Sequence, residues 1–250
     1  MAGLEVRNVT FSYDGENKIL NNVNLKLNDG ELVCLLGVSG GGKTTLFNII
    51  AGLLEPQQGQ ILLNGEDITG QSGKVSYMLQ KDMLLPYRTV EDNVALPLII
   101  KGMKKKEARQ KVGEYFEEFG IQGTQKRYPV ELSGGMRQRA ALLRTYLFSA
   151  QVALLDEPFS ALDTLTKSEM HRWYLDVMDN IKLSTLFITH DVDEAILLSD
   201  RIYLLDGNNG ALTEEIVITE PKPRRKEFSL SEEFLQYKRD IIAKIQAGSN

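Results

Sequence analysis

A glycine-rich run, Gly37-Val38-Ser39-Gly40-Gly41-Gly42-Lys43-Thr44, follows the apolar stretch Glu31 to Leu36 and precedes a helical pattern from Thr44 to Leu53. It has the G-x-x-x-x-G-K-[ST] form of a phosphate-binding loop, in the strand-then-helix setting that such a loop requires. Glycines let backbone N–H groups wrap phosphates, and the helix N-terminus adds a favourable dipole. Lys43 would reach the β- and γ-phosphates, and Thr44 would hold Mg²⁺. A second apolar run, Val152 to Leu155, ends in two acids, Asp156 and Glu157. Asp156 at a strand tip can reach the Mg²⁺ shell. Glu157, one residue on, can polarise a water for in-line attack on the γ-phosphate.

These groups need a scaffold, and the pattern supplies one. Leu4 to Tyr13 and Ile19 to Leu27 read as strands around the turn at Asp14-Gly15. Gln60 to Glu66 reads as a strand entering the Asn64-Gly65 turn, and Lys74 to Leu79 as a short strand. Helices are predicted from Thr89, as a cap, and over Lys104 to Phe119, Ser133 to Leu147, Thr164 to Asn180, Val192 to Leu198 and Ser231 to Ile245. Thr185 to Ile188 and Arg201 to Leu205 add strands, and residues 221–226 read as a loop. Strands alternating with helices predict a largely parallel sheet covered on both faces. The basic run from Lys101 to Lys111 reads as a solvated helix face, and His171 sits mid-helix with no motif around it.

Composition sets the outer limits. The chain has 250 residues, 42% hydrophobic and 25% charged, the profile of a globular protein with a sizeable core. A net charge of −5 gives no whole-surface attraction to nucleic acid. The single cysteine, Cys34, rules out an intrachain disulfide framework. Residues 1–7 lack the basic-then-apolar order of a signal peptide. The apolar run Val94 to Ile100 is far shorter than the ~20 residues that span a bilayer.

One further motif narrows the reading. Leu132-Ser133-Gly134-Gly135-Met136, just before the Asp156-Glu157 strand, resembles the signature of the ABC (ATP-binding cassette) ATPase family, and the resemblance covers nearly the whole chain. Many members have Gln where this chain has Met136, which leaves the backbone donors intact. The resemblance implies an α/β fold: a P-loop NTPase core with a mainly parallel sheet, an N-terminal antiparallel β part and an inserted helical lobe. The expected organisation is a single domain over residues 1–250, with the core in 1–80 and 151–220. The lobe is expected at about 81–150, and a C-terminal loop and helix at 221–250.

It also implies roles. ATP would be held by Tyr13, stacking on adenine, by Gly37, Ser39, Gly40, Gly41, Gly42, Lys43, Thr44 and Thr45, and by Ser133, Gly134, Gly135 and Asp163. Mg²⁺ would be held by Thr44, Gln80 and Asp156, with Glu157, His190 and Gln80 as the catalytic set. In the family the signature caps a γ-phosphate held by the opposite subunit. With one phosphate loop and one signature, the chain would therefore need a second cassette, as in a homodimer.

The stretch after Gln80, together with residues 132–139 and 189–195, looks like the bacterial importer cassettes for nitrate, sulfonate and taurine, which more often carry Trp where this chain has Tyr87. An integral-membrane permease would dock near Leu84, Leu85 and Tyr87, with an extracytoplasmic solute-binding protein acting through it. The chain would then lie at the cytoplasmic face of the cell membrane, without a nucleic-acid partner. The competing classes are a soluble ABC ATPase of repair or translation and a nucleotide switch without transport. Long coiled-coil insertions or a second cassette would mark the former, and neither is present; intact Glu157 and His190 argue against the latter.

Overall fold

The computed structural model describes residues 2–149, 151–222, 224 and 227–248; Ala150 at the expected lobe boundary and Pro223, Arg225 and Lys226 of the expected loop lie outside them. The chain opens with β1 (Ala2–Ser12), β2 (Lys18–Asn28) and β3 (Leu32–Gly37), then α1 (Lys43–Ile50), β4 (Gln58–Leu63), β5 (Glu66–Asp67) and β6 (Ser76–Met78). Four helices follow: α2 (Val90–Val94), α3 (Leu96–Ile100), α4 (Lys105–Gly113) and α5 (Gly134–Phe148). Alternation then resumes with β7 (Val152–Asp156), α6 (Thr164–Ile181), β8 (Ser184–Thr189), α7 (Val192–Leu198), β9 (Arg201–Leu205), β10 (Leu212–Val217) and α8 (Glu232–Gly248).

Two sheets form. One is antiparallel, in the order β2-β1-β4-β5, and the other runs β10-β9-β3-β8-β7-β6, parallel except where β10 meets β9. The strands β3, β7 and β8 are buried along their whole length, so each side chain must find an apolar neighbour on whichever face it points to. Val33, Leu35, Val152, Leu154, Leu186 and Ile188 pack with α1 and the antiparallel sheet. Leu32, Cys34, Leu36, Ala153, Leu155 and Phe187 pack with the helices, including the block α2–α5. The result is the α/β fold expected from the sequence, with the helical lobe on one side of the parallel sheet.

Local chemistry sets most element ends. Asn64 and Gly65 turn between β4 and β5 with φ of 52° and 86°, the left-handed pair such a two-residue turn needs. Thr89 caps α2 by accepting from the Asp92 amide, and Asp191 caps α7 by accepting from Asp193 and Glu194. Three expectations shift. The α4 helix stops at Gly113 instead of continuing to Phe119. Beyond it, Tyr115 and Phe116 bond three residues back, to Val112 and Gly113, while Phe116 and Phe119 stay buried. The α1 helix ends at Ile50, because Gly52 turns left-handed where a side chain would strike the Gln71 backbone at 2.4 Å. β10, with its two exposed glutamates, has the charged face of an edge strand and was not expected. Among the described residues no helix is long and apolar enough to cross a membrane.

One buried side chain holds the segment after Gln80 in place. Asn93, fully buried, accepts from the Leu85 amide at 2.6 Å, and its two Nδ2 protons are shared among the carbonyls of Leu85, Arg88 and Thr89 at 3.1, 3.2 and 3.0 Å. Replacing it leaves part-buried backbone groups unpaired. Asn93→Ala is therefore expected to cost about 1–3 kcal/mol of stability, read as a lower urea midpoint with an unchanged slope. An unchanged midpoint would show that the loop satisfies its own groups.

Candidate active site

Four neighbouring strands, β3, β8, β7 and β6, run parallel, so their C-terminal ends open onto one edge of the sheet. Leu36 lies opposite Thr189, Ile188 opposite Asp156, and Leu155 opposite Met78. That register brings Gly37, His190, Asp156, Glu157 and Gln80 to the same edge, where open parallel sheets bind ligands.

The glycine loop leaves β3 under tight constraint. A Cβ at Gly37 would stand 2.6 Å from the Leu205 carbonyl oxygen. Gly40 and Gly42 sit at φ 82° and 94°, and a Cβ at Gly42 would stand 2.9 Å from the Ile19 carbonyl oxygen. The Gly41 backbone packs against Gly207, Ser39 is exposed, and α1 starts at Lys43. The buried Lys43 ammonium donates to the carbonyls of Gly37 and Val38, both at 2.8 Å. Burial pulls its pKa down, and the nearby carboxylates of Glu157 and Asp156 oppose that shift.

Thr44 Oγ1 donates to Asp156 Oδ2 at 3.2 Å. Burial pushes the Asp156 carboxyl above its ordinary range, while the Thr44 bond pulls the other way. This is an oxygen-only donor pair, suited to a hard cation that keeps waters and phosphate oxygens as its other ligands. Among the described residues no group of three His, Cys, Asp or Glu assembles into a cage.

Glu157 is constrained in both backbone and side chain. Its φ is 46°, left-handed for a residue with a side chain, a conformation that costs ~1–2 kcal/mol. Its amide donates to the Ile188 carbonyl at 3.0 Å, which holds the turn. The carboxylate is held from two sides: Gln80 Nε2 donates to Oε2 at 2.9 Å, and His190 Nδ1 lies 3.1 Å from Oε1. Gln80 thus reaches Glu157, and its side chain makes no hydrogen bond to Thr44 or Asp156.

A second group forms elsewhere on the chain. Ser133 caps α5, its hydroxyl accepting from the Met136 amide at 3.3 Å. The start of α5 faces α6 and the turn before it: Cβ atoms added at Gly134 and Gly135 would make ordinary contacts, 3.5 Å from Leu162 and 3.4 Å from Thr166. Asp163 caps α6 by accepting from the Thr166 amide at 3.1 Å and hydroxyl at 2.6 Å, which holds its carboxyl below the usual range. Ser133 makes no hydrogen bond to the loop 37–45, so the site residues fall into two clusters. Tyr13 belongs beside the first, exposed, with its hydroxyl 3.2 Å from Thr45 Oγ1.

Sequence reasoning missed the strain at Glu157, which no composition reveals, and the role of Gln138, whose amide donates to the Pro158 carbonyl behind it. The docking trio is also redistributed. Leu84 is 7% exposed, packed in the core, and therefore no surface anchor; Leu85 is half-buried on the Asn93 latch, while Tyr87 is exposed.

Residues 20–160 match the family described as ABC transporter. The formylaminopyrimidine import ATP-binding protein of Halalkalibacterium halodurans is 39% identical, covering 98% of this chain and 95% of that protein. The aliphatic sulfonates import ATP-binding protein of Bacillus cereus is 38% identical over 98% of this chain and 95% of its own length. Nitrate and taurine import ATP-binding proteins are further relatives. Among solved structures, the dimeric structure of a bacterial ABC transporter cassette has a TM-score of 0.73 at 29% identity, over 86% of this chain and 98% of that one.

Proposed function

The chain belongs to the ABC transporter ATP-binding family, and from that premise we infer that it is the ATP-hydrolysing subunit that powers solute import through a membrane permease. The import names of its relatives favour this over a repair, translation or switch role. The observation that carries the catalytic reading is Glu157, one residue beyond the Thr44-bonded Asp156 and gripped between Gln80 and His190.

ATP lies on the loop from Gly37 to Thr45. Its phosphates meet the loop amides and Lys43, and Tyr13 faces the base. Thr44 and Asp156 would hold Mg²⁺, which would neutralise charge on the phosphates. Gln80 and His190 orient the Glu157 carboxylate, which takes the proton of the attacking water. In this reading Gln80 serves as an orienting group and as a cation ligand only after it leaves Glu157. Ser133, Gly134, Gly135 and Asp163 serve the site of a second copy, so two chains related by a two-fold axis make two equivalent sites.

The permease partner docks a short helix in a groove of about 380 Å³ whose lining includes Leu53, Met83, Pro97, Ile100 and Phe148. Met83 and Ile100 are 55% and 70% exposed, and Met83 lies three residues beyond Gln80, so an occupant would touch the segment that reaches Glu157. The chain then sits at the cytoplasmic face of the membrane, with a solute-binding protein delivering cargo on the other side.

Glu157→Gln keeps the shape and removes the base. ATP affinity in a direct titration should hold while turnover falls by ~10² or more; parental turnover would remove Glu157 from this role. Met83→Glu places a charge in the groove. It should spare ATP binding by the isolated chain and abolish co-purification with a detergent-solubilised permease, whereas normal capture and transport would rule the groove out.

A further inference from the structure

The His190 imidazole is well exposed, so packing alone does little to aim it at Glu157. Its aim must come from the backbone on either side. On one side, Thr189 ends the buried strand β8. On the other, Asp191 is fixed through both carboxylate oxygens. Oδ1 accepts from the amides of Asp193 and Glu194 at 2.9 and 3.2 Å, and Oδ2 accepts from Lys167 Nζ at 2.7 Å.

Lys167 stands on α6, four residues past Asp163. The same ammonium lies 2.8 Å from Glu194 Oε2, a carboxylate only 2% exposed, with His171 Nε2 at 3.7 Å from that oxygen. Burial works against the Lys167 charge, yet its bonds to Asp191 and Glu194 hold it above the ordinary lysine range. The helix that carries Lys167 also braces the other half of the pair. Phe159, two residues beyond Glu157, packs edge-on against His171 at 4.9 Å and Tyr174 at 5.5 Å, both on α6. One helix therefore backs the Glu157 turn through apolar rings and the His190 turn through an ion pair.

We propose that Lys167 is a positioning residue for ATP hydrolysis: by holding Asp191 it fixes the backbone that aims His190 at Glu157. This rests on the catalytic reading of Glu157 and His190 given above. The competing role for Lys167 is simply to neutralise the buried Glu194, and the two roles are separable. Lys167→Met combined with Glu194→Gln leaves no unpaired buried carboxylate and still releases Asp191 Oδ2, keeping only the Oδ1 cap bonds. Two quantities are read on that variant: steady-state ATPase kinetics, and the side-chain nitrogen spectrum of His190, which shares its window with His171 alone because the chain has two histidines.

Positioning predicts a kcat at least about tenfold lower with KM for ATP within about twofold, together with shifted or broadened His190 signals. A parental kcat overturns the proposal, and so does a lost kcat with an unchanged His190 spectrum. If the double variant fails to fold, Asp191→Asn, which keeps the cap oxygen and removes the charge, is judged by the same two readings. Parental turnover by His190→Ala would mark failure of the catalytic reading itself, since the clamp could then have nothing to aim.

Discussion

Parallel pairing of β3, β8, β7 and β6 is the constraint on which the rest depends. Because both faces of β3, β8 and β7 are buried, one within the α1 side and one within the helical side, their register cannot slip by one residue without exchanging two cores. The register in turn decides which residues emerge together at the C-terminal edge. Gly37, Asp156, Glu157 and His190 come from distant stretches of sequence and meet there as a consequence of strand packing.

At that edge the structure concentrates unfavourable features. A buried ammonium, a buried carboxyl and a left-handed glutamate meet at the same edge of the sheet. Each is individually costly, and each is held by fixed partners: carbonyls for Lys43, Thr44 for Asp156, and Ile188, Gln80 and His190 for Glu157. Such strain persists only where the surroundings over-determine it. The second cluster, around Ser133 and Asp163, has a different character. Its helix caps leave Ser133 and Asp163 on the surface, which suits the two-chain site proposed above.

Much of this was legible in the sequence because phosphate binding relies on local backbone. Glycines at fixed spacing, a following Lys-Thr pair and an apolar run ending in Asp-Glu carry their geometry with them. Fold class followed from alternating buried strands and helices. What escaped depends on partners remote in sequence. Leu84 looked like a surface anchor in a run of apolar residues, and only the packing of the lobe puts it inside. Asn93 has no motif, yet its side chain ties the backbone of Leu85 to that of Arg88 and Thr89. Lys167 and Asp191 are 24 positions apart, and nothing local pairs them. The end of α4 at Gly113 was hidden because the apolar spacing continues through Phe116 and Phe119 even after the helix stops.

Under the function proposed above, each chain carries two half-sites that only another copy completes. Mixing Lys43→Ala with Ser133→Arg tests it most directly. The first variant damages the phosphate loop, and the second sets a bulky cation where the partner's γ-phosphate would dock. Each alone should be inactive. In a mixed dimer one composite site carries both lesions and the other carries none, so ATPase activity should return once subunit exchange is verified by energy transfer between labelled chains. Verified exchange with no recovered turnover would show that the two half-sites do not complete each other.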